Sequence, residues 1–247
     1  MTKKEKILIL SPHLDDGVFS CCDHVLKWKQ QGHQVTIFTI FTRFTRNNIS
    51  TAGKQNIKLS GFLDVKKYER QRQQEDIKAM KLLDISWKHL GFVDGGFRSV
   101  NHISTYPNNH LFKGIISPLD ADLIKRIEKV LSKYFQSYFR IVVPLGIGNH
   151  ADHIITRRIA EKLIDSKKQK LLYYVDYPYA QQWQNLMNIN FIKLICFKKS
   201  IIRMTFIKRK FVRQYLSQVS LWSKNGGLPN FEIILLKSSG EKYYASN

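Results

Sequence analysis

Lys6-Ile7-Leu8-Ile9-Leu10-Ser11-Pro12-His13-Leu14-Asp15-Asp16 joins an apolar run to a cluster of chemistry-bearing side chains. The run is β-branched and leucine-rich and is bounded by Ser-Pro, which reads as a buried strand. Pro12 has no N–H for a strand ladder, so the backbone leaves the sheet there. The residues after it are presented at the strand's carboxyl end, where open α/β sheets bind their ligands. An imidazole beside two adjacent carboxylates suits a metal site with a neighbouring base. Neighbours in a turning segment point in different directions, so one aspartate can bind a metal while the other faces a water. The residues alone do not say which does which. A plainer reading has Asp15 or Asp16 capping a helix that starts near Val18, with His13 an ordinary loop residue.

A second cluster shifts the balance toward a site. Asn149-His150-Ala151-Asp152-His153 follows another apolar strand, Phe139-Arg140-Ile141-Val142-Val143, and the turn Pro144-Leu145-Gly146-Ile147-Gly148. His150 and His153, three apart at a helix start, share one face. Two His/Asp clusters, each just past a strand, are a stronger signal than either alone.

Pro12-His13-Leu14-Asp15-Asp16 and His150-Ala151-Asp152-His153 together resemble the paired signatures of the zinc-dependent N-deacetylases of the PIG-L/LmbE type, Pro-His-x-Asp-Asp/Glu and His-x-Asp-His. The resemblance implies His13, Asp16 and His153 as ligands of Zn2+, two imidazoles and one carboxylate that leave a position for water. Such a set also accepts Fe2+, cobalt or manganese, so the metal's identity stays open. Zinc would lower the water's pKa towards ~7, and Asp15 would be the general base. His150 is expected as an imidazolium that stabilises the oxyanion and protonates the leaving amine. A helix N-terminus and a nearby metal both oppose that charge, and a hydrogen bond from Asp152 is expected to compensate. Some relatives carry a tyrosine two positions before the first histidine; here Gly148 stands there, and Tyr177 or Tyr179 would have to substitute.

The rest of the chain fits an α/β reading: one Rossmann-like domain over 1–247, with a mostly parallel sheet, flanking helices and the active site at strand carboxyl ends. Val18–Gln31 reads as a helix stopped by Gly32, and Val35–Phe41 as the second strand. Thr42–Phe62 is polar and basic and reads as a long loop, either a substrate lid or disorder. Val65–Leu83 is a charged helix whose Arg72-Gln73-Gln74-Glu75 resembles the family's Arg-x-x-Glu, the arginine lying near substrate; the bland alternative is an exposed ion pair. Trp87–Phe92 is a strand leading to Asp94-Gly95, which resembles the family's turn that meets sugar hydroxyls and is also a good turn dipeptide. Arg98–Ser117 reads as an irregular rim, and Asp120 as the cap of a helix to Phe135. The second motif's helix continues to about Asp165, and Leu171–Val175 is a strand ending in Asp176-Tyr177-Pro178-Tyr179. The tyrosines at this strand end, Tyr177 as the substrate-binding one, are expected to stack on a sugar ring, against the plainer reading of rim packing. Residues from about 190 to 247 would complete a helix and an edge strand: Phe191–Phe197 as a strand, Ser200–Leu221 as one basic helix, Phe231–Leu236 as the edge. Within that helix, Lys210 with Tyr215-Leu216-Ser217-Gln218 resembles the family's late Lys…(His/Tyr)-x-Ser-Gln.

Composition bounds the partners. The 247 residues are 43% hydrophobic and carry 40 Lys and Arg against 19 Asp and Glu, a net charge of +21. Such a balance suits nucleic acid, anionic lipid or a phosphate-bearing substrate, or else a spread of solvated lysines. No nucleic-acid-binding motif stands out. The expected substrate, implied by the resemblance, is an N-acetylated amino sugar, with the charge favouring a phosphate- or lipid-linked form. The basic, apolar stretch Ile201–Phe211 suggests peripheral contact with an anionic membrane, against the plainer reading of a helix buried on the sheet. Cys21, Cys22 and Cys196 make no disulfide framework. The N-terminus leaves no room for a signal peptide, so a cytoplasmic protein is expected. The rival functions are a metal-dependent phosphoesterase and a non-catalytic basic binding module.

Overall fold

Parallel strands are covered by helices on both faces and therefore run almost wholly apolar. β1 (Lys6–Ser11) obeys this rule: Ile7, Leu8, Ile9 and Leu10 are fully buried. The computed structural model describes residues 4–47, 49–108, 110–181, 198–202, 207–225 and 241–245. Within them, β1, β2 (Gln34–Arg43), β3 (Ser86–Val93), β6 (Arg140–Pro144) and β7 (Lys170–Tyr174) form a parallel sheet. β9 (Glu241–Ala245) pairs antiparallel with β7, and β8 (Lys198–Ile202) with β9, giving the order β3-β2-β1-β6-β7-β9-β8. β4 (Ser99–Val100) and β5 (Ile103–Ser104) make a separate two-stranded ribbon.

Five helices lie between the parallel strands and the chain's later part: α1 (Asp16–Gln30), α2 (Thr51–Leu59), α3 (Val65–Leu83), α4 (Ala121–Phe135) and α5 (Ala151–Leu163). α6 (Ile207–Val212) and α7 (Leu216–Asn225) follow β8. α4 shows how they pack: Ile127, Leu131 and Phe135, four apart, are its buried stripe. Cys21 and Cys22 are buried thiols on α1.

Strand order decides where the site falls. β1 has β2 on one side and β6 on the other, so the connections diverge at the β1–β6 pair. Beyond the carboxyl ends of such a pair an open α/β sheet leaves a crevice. Ile7 pairs with Arg140 and Ile9 with Val142, which puts the two His/Asp clusters side by side.

Three expectations need correction. The stretch read as a loop over Thr42–Phe62 contains α2, nucleated by the Ser50 hydroxyl that accepts the Gly53 N–H. The basic helix expected over Ser200–Leu221 is instead β8, α6 and α7, with a turn at Arg213–Tyr215 forced by Tyr215, whose ring is buried and whose hydroxyl donates to Asp76. α6 turns Lys208, Phe211 and Val212 inward, which does not suit a helix lying on a membrane, and no helix among the described residues is long and apolar enough to cross one. Asp120 precedes α4 without capping it, because its carboxylate is taken by Arg98 and Tyr106. The strands expected at Phe191–Phe197 and Phe231–Leu236 lie outside the described residues.

Candidate metal centre

At the end of β1 a serine does what either aspartate was expected to do. Ser11 Oγ donates to the His13 carbonyl (2.7 Å) and accepts the Gly17 N–H (2.9 Å) at the start of α1. Asp15 occupies the N-cap position with no side-chain cap bond, so both carboxylates turn to the cleft. Asp16 Oδ2 accepts the His13 N–H (2.9 Å) and lies 3.1 Å from His13 Nδ1 and 3.2 Å from His153 Nε2. Asp15 points the other way, with Oδ2 3.4 Å from Arg72 Nη1 on α3.

The second arm comes from β6 and β7. The turn after β6 needs left-handed backbone at Gly146, Gly148 and Asn149 (φ 86°, 87° and 57°). Asp176, just past β7, accepts the N–H groups of Gly146 and Ile147 (2.8 and 3.0 Å) and holds His153 Nδ1 at 2.6 Å. His153 is fully buried, and its Nε2 faces Asp16 Oδ2 at 3.2 Å without the geometry of a hydrogen bond. A histidine fixed through one nitrogen by a carboxylate, with the other nitrogen aimed at a further donor, is how metal-ligating histidines are held.

Among the described residues, two groups have metal-donor spacing: His13, Asp16 and His153, and His13, His150 and Asp152, each with donor atoms within 4.8 Å of one another. The second is already committed. Asp152 Oδ1 accepts from Arg98 Nη2 (2.7 Å), while Oδ2 takes the Gly95 N–H (2.8 Å) and pairs with His13 Nε2 (3.1 Å). The first group, whose His153 Nε2 and Asp16 Oδ2 face each other without a well-formed hydrogen bond, fits a divalent metal better. Asp152 then stands behind His13 as Asp176 stands behind His153.

This corrects the expected partnership of Asp152 and His150. His150 is the N-cap of α5, and its Nδ1 accepts the Asp152 backbone N–H (3.1 Å); the Asp152 carboxylate serves His13 instead. Burial and the neighbouring His13 and His153 charges hold His150 well below the usual histidine pKa, with Asp152 and Asp16 pulling the other way. That lowered pKa and the N–H accepted at Nδ1 favour the neutral imidazole with its proton on Nε2.

Around these groups lies a cleft of about 980 Å3 including its open mouth, lined by His13, Asp15, Asp16, Arg72, Asp94 and His150 among others. Arg72 is neither exposed nor paired with Glu75, which instead accepts from the Ser217 N–H and hydroxyl (3.0 and 2.6 Å). Asp94 accepts the Gly96 N–H through Oδ1 (2.8 Å), and its Oδ2 lies 3.6 Å from His13 Nε2. Tyr177 does not line the cleft: it is buried, donating its N–H to Ser20 Oγ, with Lys208 Nζ 5.7 Å from its ring. Tyr179 lines the cleft in its place, packed where a side chain at Gly148 would stand; a Cβ there would meet the ring at 2.7 Å. Lys210 is exposed, and the inward lysine is Lys208, which donates to the Phe19 carbonyl (2.6 Å).

Two residues escaped the sequence reading. Asp176 sits in a stretch read for its tyrosines, although a carboxylate at a strand's carboxyl end was a usable signal. Arg98, placed in a rim loop, is buried between Asp120 and Asp152 (2.7 Å to each) and donates to the Val93 carbonyl (2.8 Å). Nothing local in the sequence marks it.

Burial dominates every ionisable group here, and neighbours decide the sign. Burial pushes Asp15 up to about 7, with Arg72 and His13 restraining it and Asp16 assisting. Burial would also raise Asp16, but the His153 and His13 imidazoles hold it well below the usual carboxylate range. Arg98 and His13 do the same for Asp152. Against burial, Asp16 and Asp176 lift His153 to about 9.

The family model for GlcNAc-PI de-N-acetylase, PIG-L, matches residues 8–164. The chain belongs to the PIG-L family. The 2′-N-acetylparomamine deacetylase of Streptomyces fradiae is 23% identical over 73% of this chain, which spans 60% of that relative's length; the one from Niallia circulans is 25% identical over 87% of this chain and 82% of its own. These PIG-L relatives are deacetylases named for an N-acetylated amino sugar. The crystal structure of the zinc-inhibited form of teicoplanin deacetylase Orf2 superposes with a TM-score of 0.78 at 22% identity, covering 97% of both chains, so the mostly parallel α/β fold is shared.

Proposed function

We propose that this PIG-L protein is a metal-dependent hydrolase that removes an N-acetyl group from an N-acetylated amino sugar or its glycoconjugate. One observation carries the reading: two histidines and one aspartate converge, and the adjacent aspartate, Asp15, faces the same cleft without joining them. His13, Asp16 and His153 are the proposed ligands. A divalent ion held there supplies Lewis acidity and acidifies a neighbouring water.

The protein's own groups do the rest. Asp15, raised towards neutrality, takes a proton from the attacking water. Neutral His150 donates from Nε2 to the carbonyl oxygen as charge builds on it. That histidine has no second proton to give, so the expected general-acid role passes to Asp15, which hands its acquired proton to the leaving amine. Tyr179, whose hydroxyl burial keeps protonated, is placed to assist. Asp152 and Asp176 orient His13 and His153, which would hold the ion. Arg72 restrains Asp15, and Asp94 offers Oδ2 to a sugar hydroxyl.

Zinc is the proposed ion, and because zinc inhibits the teicoplanin deacetylase, reconstitution has to compare zinc with iron(II), cobalt and manganese. The test is acetate release from N-acetylglucosamine substrates by protein reloaded with each ion. Activity should appear with at least one ion and fall by about 10²–10⁴ in Asp15→Asn. Phosphate release without acetate would replace this reading with a phosphoesterase.

A further inference from the structure

One turn of the chain holds Asp152 from two sides. Gly95 gives its N–H to Oδ2 (2.8 Å), and Arg98, three residues on, gives Nη2 to Oδ1 (2.7 Å). A Cβ on Gly95 would stand 3.1 Å from both carboxylate oxygens, so the turn comes as close as only a glycine allows. Arg98 is itself fixed. Its Nη1 donates to the Val93 carbonyl (2.8 Å) and its Nη2 also to Asp120 Oδ2 (2.7 Å), while its guanidinium carbon lies 5.1 and 5.5 Å from the ring centres of Phe41 and Tyr106. The Tyr106 hydroxyl donates to Asp120 in turn (2.6 Å).

Stability alone is a weak reason for such a cluster. Arg98 is 6% exposed, is shared between two carboxylates, and leaves its buried Nε without a hydrogen bond among the described residues. Apolar side chains of similar volume often hold a fold at least as well as buried ions do, and a buried unmade N–H calls for an explanation. The metal centre supplies one. His13 belongs to both groups of metal-donor spacing, its Nδ1 facing Asp16 (3.1 Å) and its Nε2 facing Asp152 (3.1 Å). An ion on the second group would occupy His150, which the proposed reaction needs free. A guanidinium 2.7 Å from Asp152 covers one carboxylate oxygen and sets a fixed positive charge against any cation approaching the other.

We infer that Arg98 is a positioning residue that assigns the ion to His13, Asp16 and His153, by keeping the Asp152 carboxylate on His13 Nε2 and out of the ion's own ligand set. The inference rests on the metal-centre reading and goes beyond it, because Arg98 bonds to none of the three proposed ligands and acts on the ion only through Asp152. Without Arg98, Asp152 is a buried anion beside His150, and the ion has a competing place to bind.

The experiment titrates metal-free protein with cobalt(II), whose absorption spectrum reports its ligand set and whose heat of binding gives Kd. Wild type and Arg98→Gln are compared, each with and without His150→Ala. In wild type, His150→Ala should leave the spectrum and Kd nearly unchanged. In Arg98→Gln the spectrum should change, and His150→Ala should now weaken binding by about tenfold or more, because the histidine has become a ligand. Arg98→Lys keeps the charge and should restore the wild-type spectrum and the indifference to His150. Should Arg98→Gln not fold, Asp120→Asn is added to it, removing the carboxylate left buried and unpaired. A purely structural Arg98 would lower the thermal midpoint in Arg98→Gln while leaving the spectrum and the His150 dependence as in wild type, which overturns the inference. A wild type that already loses its ion in His150→Ala overturns it as well. Wild type that binds no cobalt, or binds it equally well in His153→Ala, refutes the metal centre instead.

Discussion

Asp15 and Asp16 are neighbours in the chain with opposite acidities, because one faces an arginine across the cleft and the other two imidazoles. Asp16 is held ionised, as a ligand must be, while Asp15 is poised near neutrality at about 7. The restraint on Asp15 is the Arg72 guanidinium at 3.4 Å. Removing that charge should raise the acid limb of kcat/KM for acetate release by about one to three pH units in Arg72→Gln. Arg72→Lys keeps the charge and should return the limb most of the way. A limb that stays put in Arg72→Gln would mean that something other than Arg72 sets the base. At this scale the sequence is readable wherever chemistry is concentrated in a short stretch: His13, Asp15, Asp16, His150, Asp152 and His153 all stood out. Asp176 acts on His153 across 23 positions and Arg98 on Asp152 across 54. Such partners meet only through strand order, so no spacing announces them.

Elements with a clear periodic stripe or an apolar run were legible. β1, β2, β3, β6, β7, α1, α3, α4 and α5 fall where pattern placed them, give or take a residue or two at the ends. α2 failed because Thr51-Ala52-Gly53-Lys54-Gln55-Asn56-Ile57-Lys58-Leu59 holds Thr, Gly, Asn and Ile, all poor helix formers. Its stability comes from outside: the Ser50 cap, the packing of Gly53 on Gly96, and Ile57 against Leu14 and Phe44 in a small apolar cluster. That dependence is testable. Gly53→Ala has ordinary helix propensity in its favour, so an isolated helix would gain roughly 1 kcal/mol. Here the new Cβ meets backbone, which cannot swing aside as a side chain can. The expected outcome is a loss of about 1–3 kcal/mol in chemical denaturation with a raised KM, since Gln55 of α2, which lines the cleft, and the Asp94 turn are pushed apart together. A stabilised Gly53→Ala with unchanged KM would show that α2 is not seated on that turn. The split of the expected basic helix into α6 and α7 has a similar cause. Tyr215, between them, is drawn down to Asp76 and Ser217 to Glu75, contacts with α3 that no local pattern reports.

For the whole molecule, a chain of net charge +21 gathers carboxylates and histidines at the carboxyl ends of β1, β3, β6 and β7. Carboxylates and histidines packed there without a metal hold protons that an unfolded chain would release. His153 keeps its proton to about pH 9 instead of 6.5, and His13 is raised in the same direction by Asp152 and Asp16. Between pH 6.5 and 9 the native state therefore binds more protons than the unfolded state, and the metal-free protein loses stability as pH rises through that window. Asp15 acts in the same sense between 3.8 and about 7. Asp16, depressed, favours the fold above the usual carboxylate range and gives way only in acid; His150, depressed, affects only the region below 6.5. Neither interferes above pH 7. A divalent ion on His13, Asp16 and His153 displaces those protons, so its affinity should climb with pH over the same interval. Thermal melts at pH 7, 8 and 9, in chelator and with one equivalent of metal, should show the metal-free midpoint falling while the gap to the loaded protein widens, by roughly 2–4 °C for each kcal/mol in a chain of this size. Taking the gap, not either midpoint, cancels the surface lysines, which titrate alike in both forms. A gap that is the same at all three pH values would mean that the ion does not compete with protons on the two histidines, and that they are not its ligands.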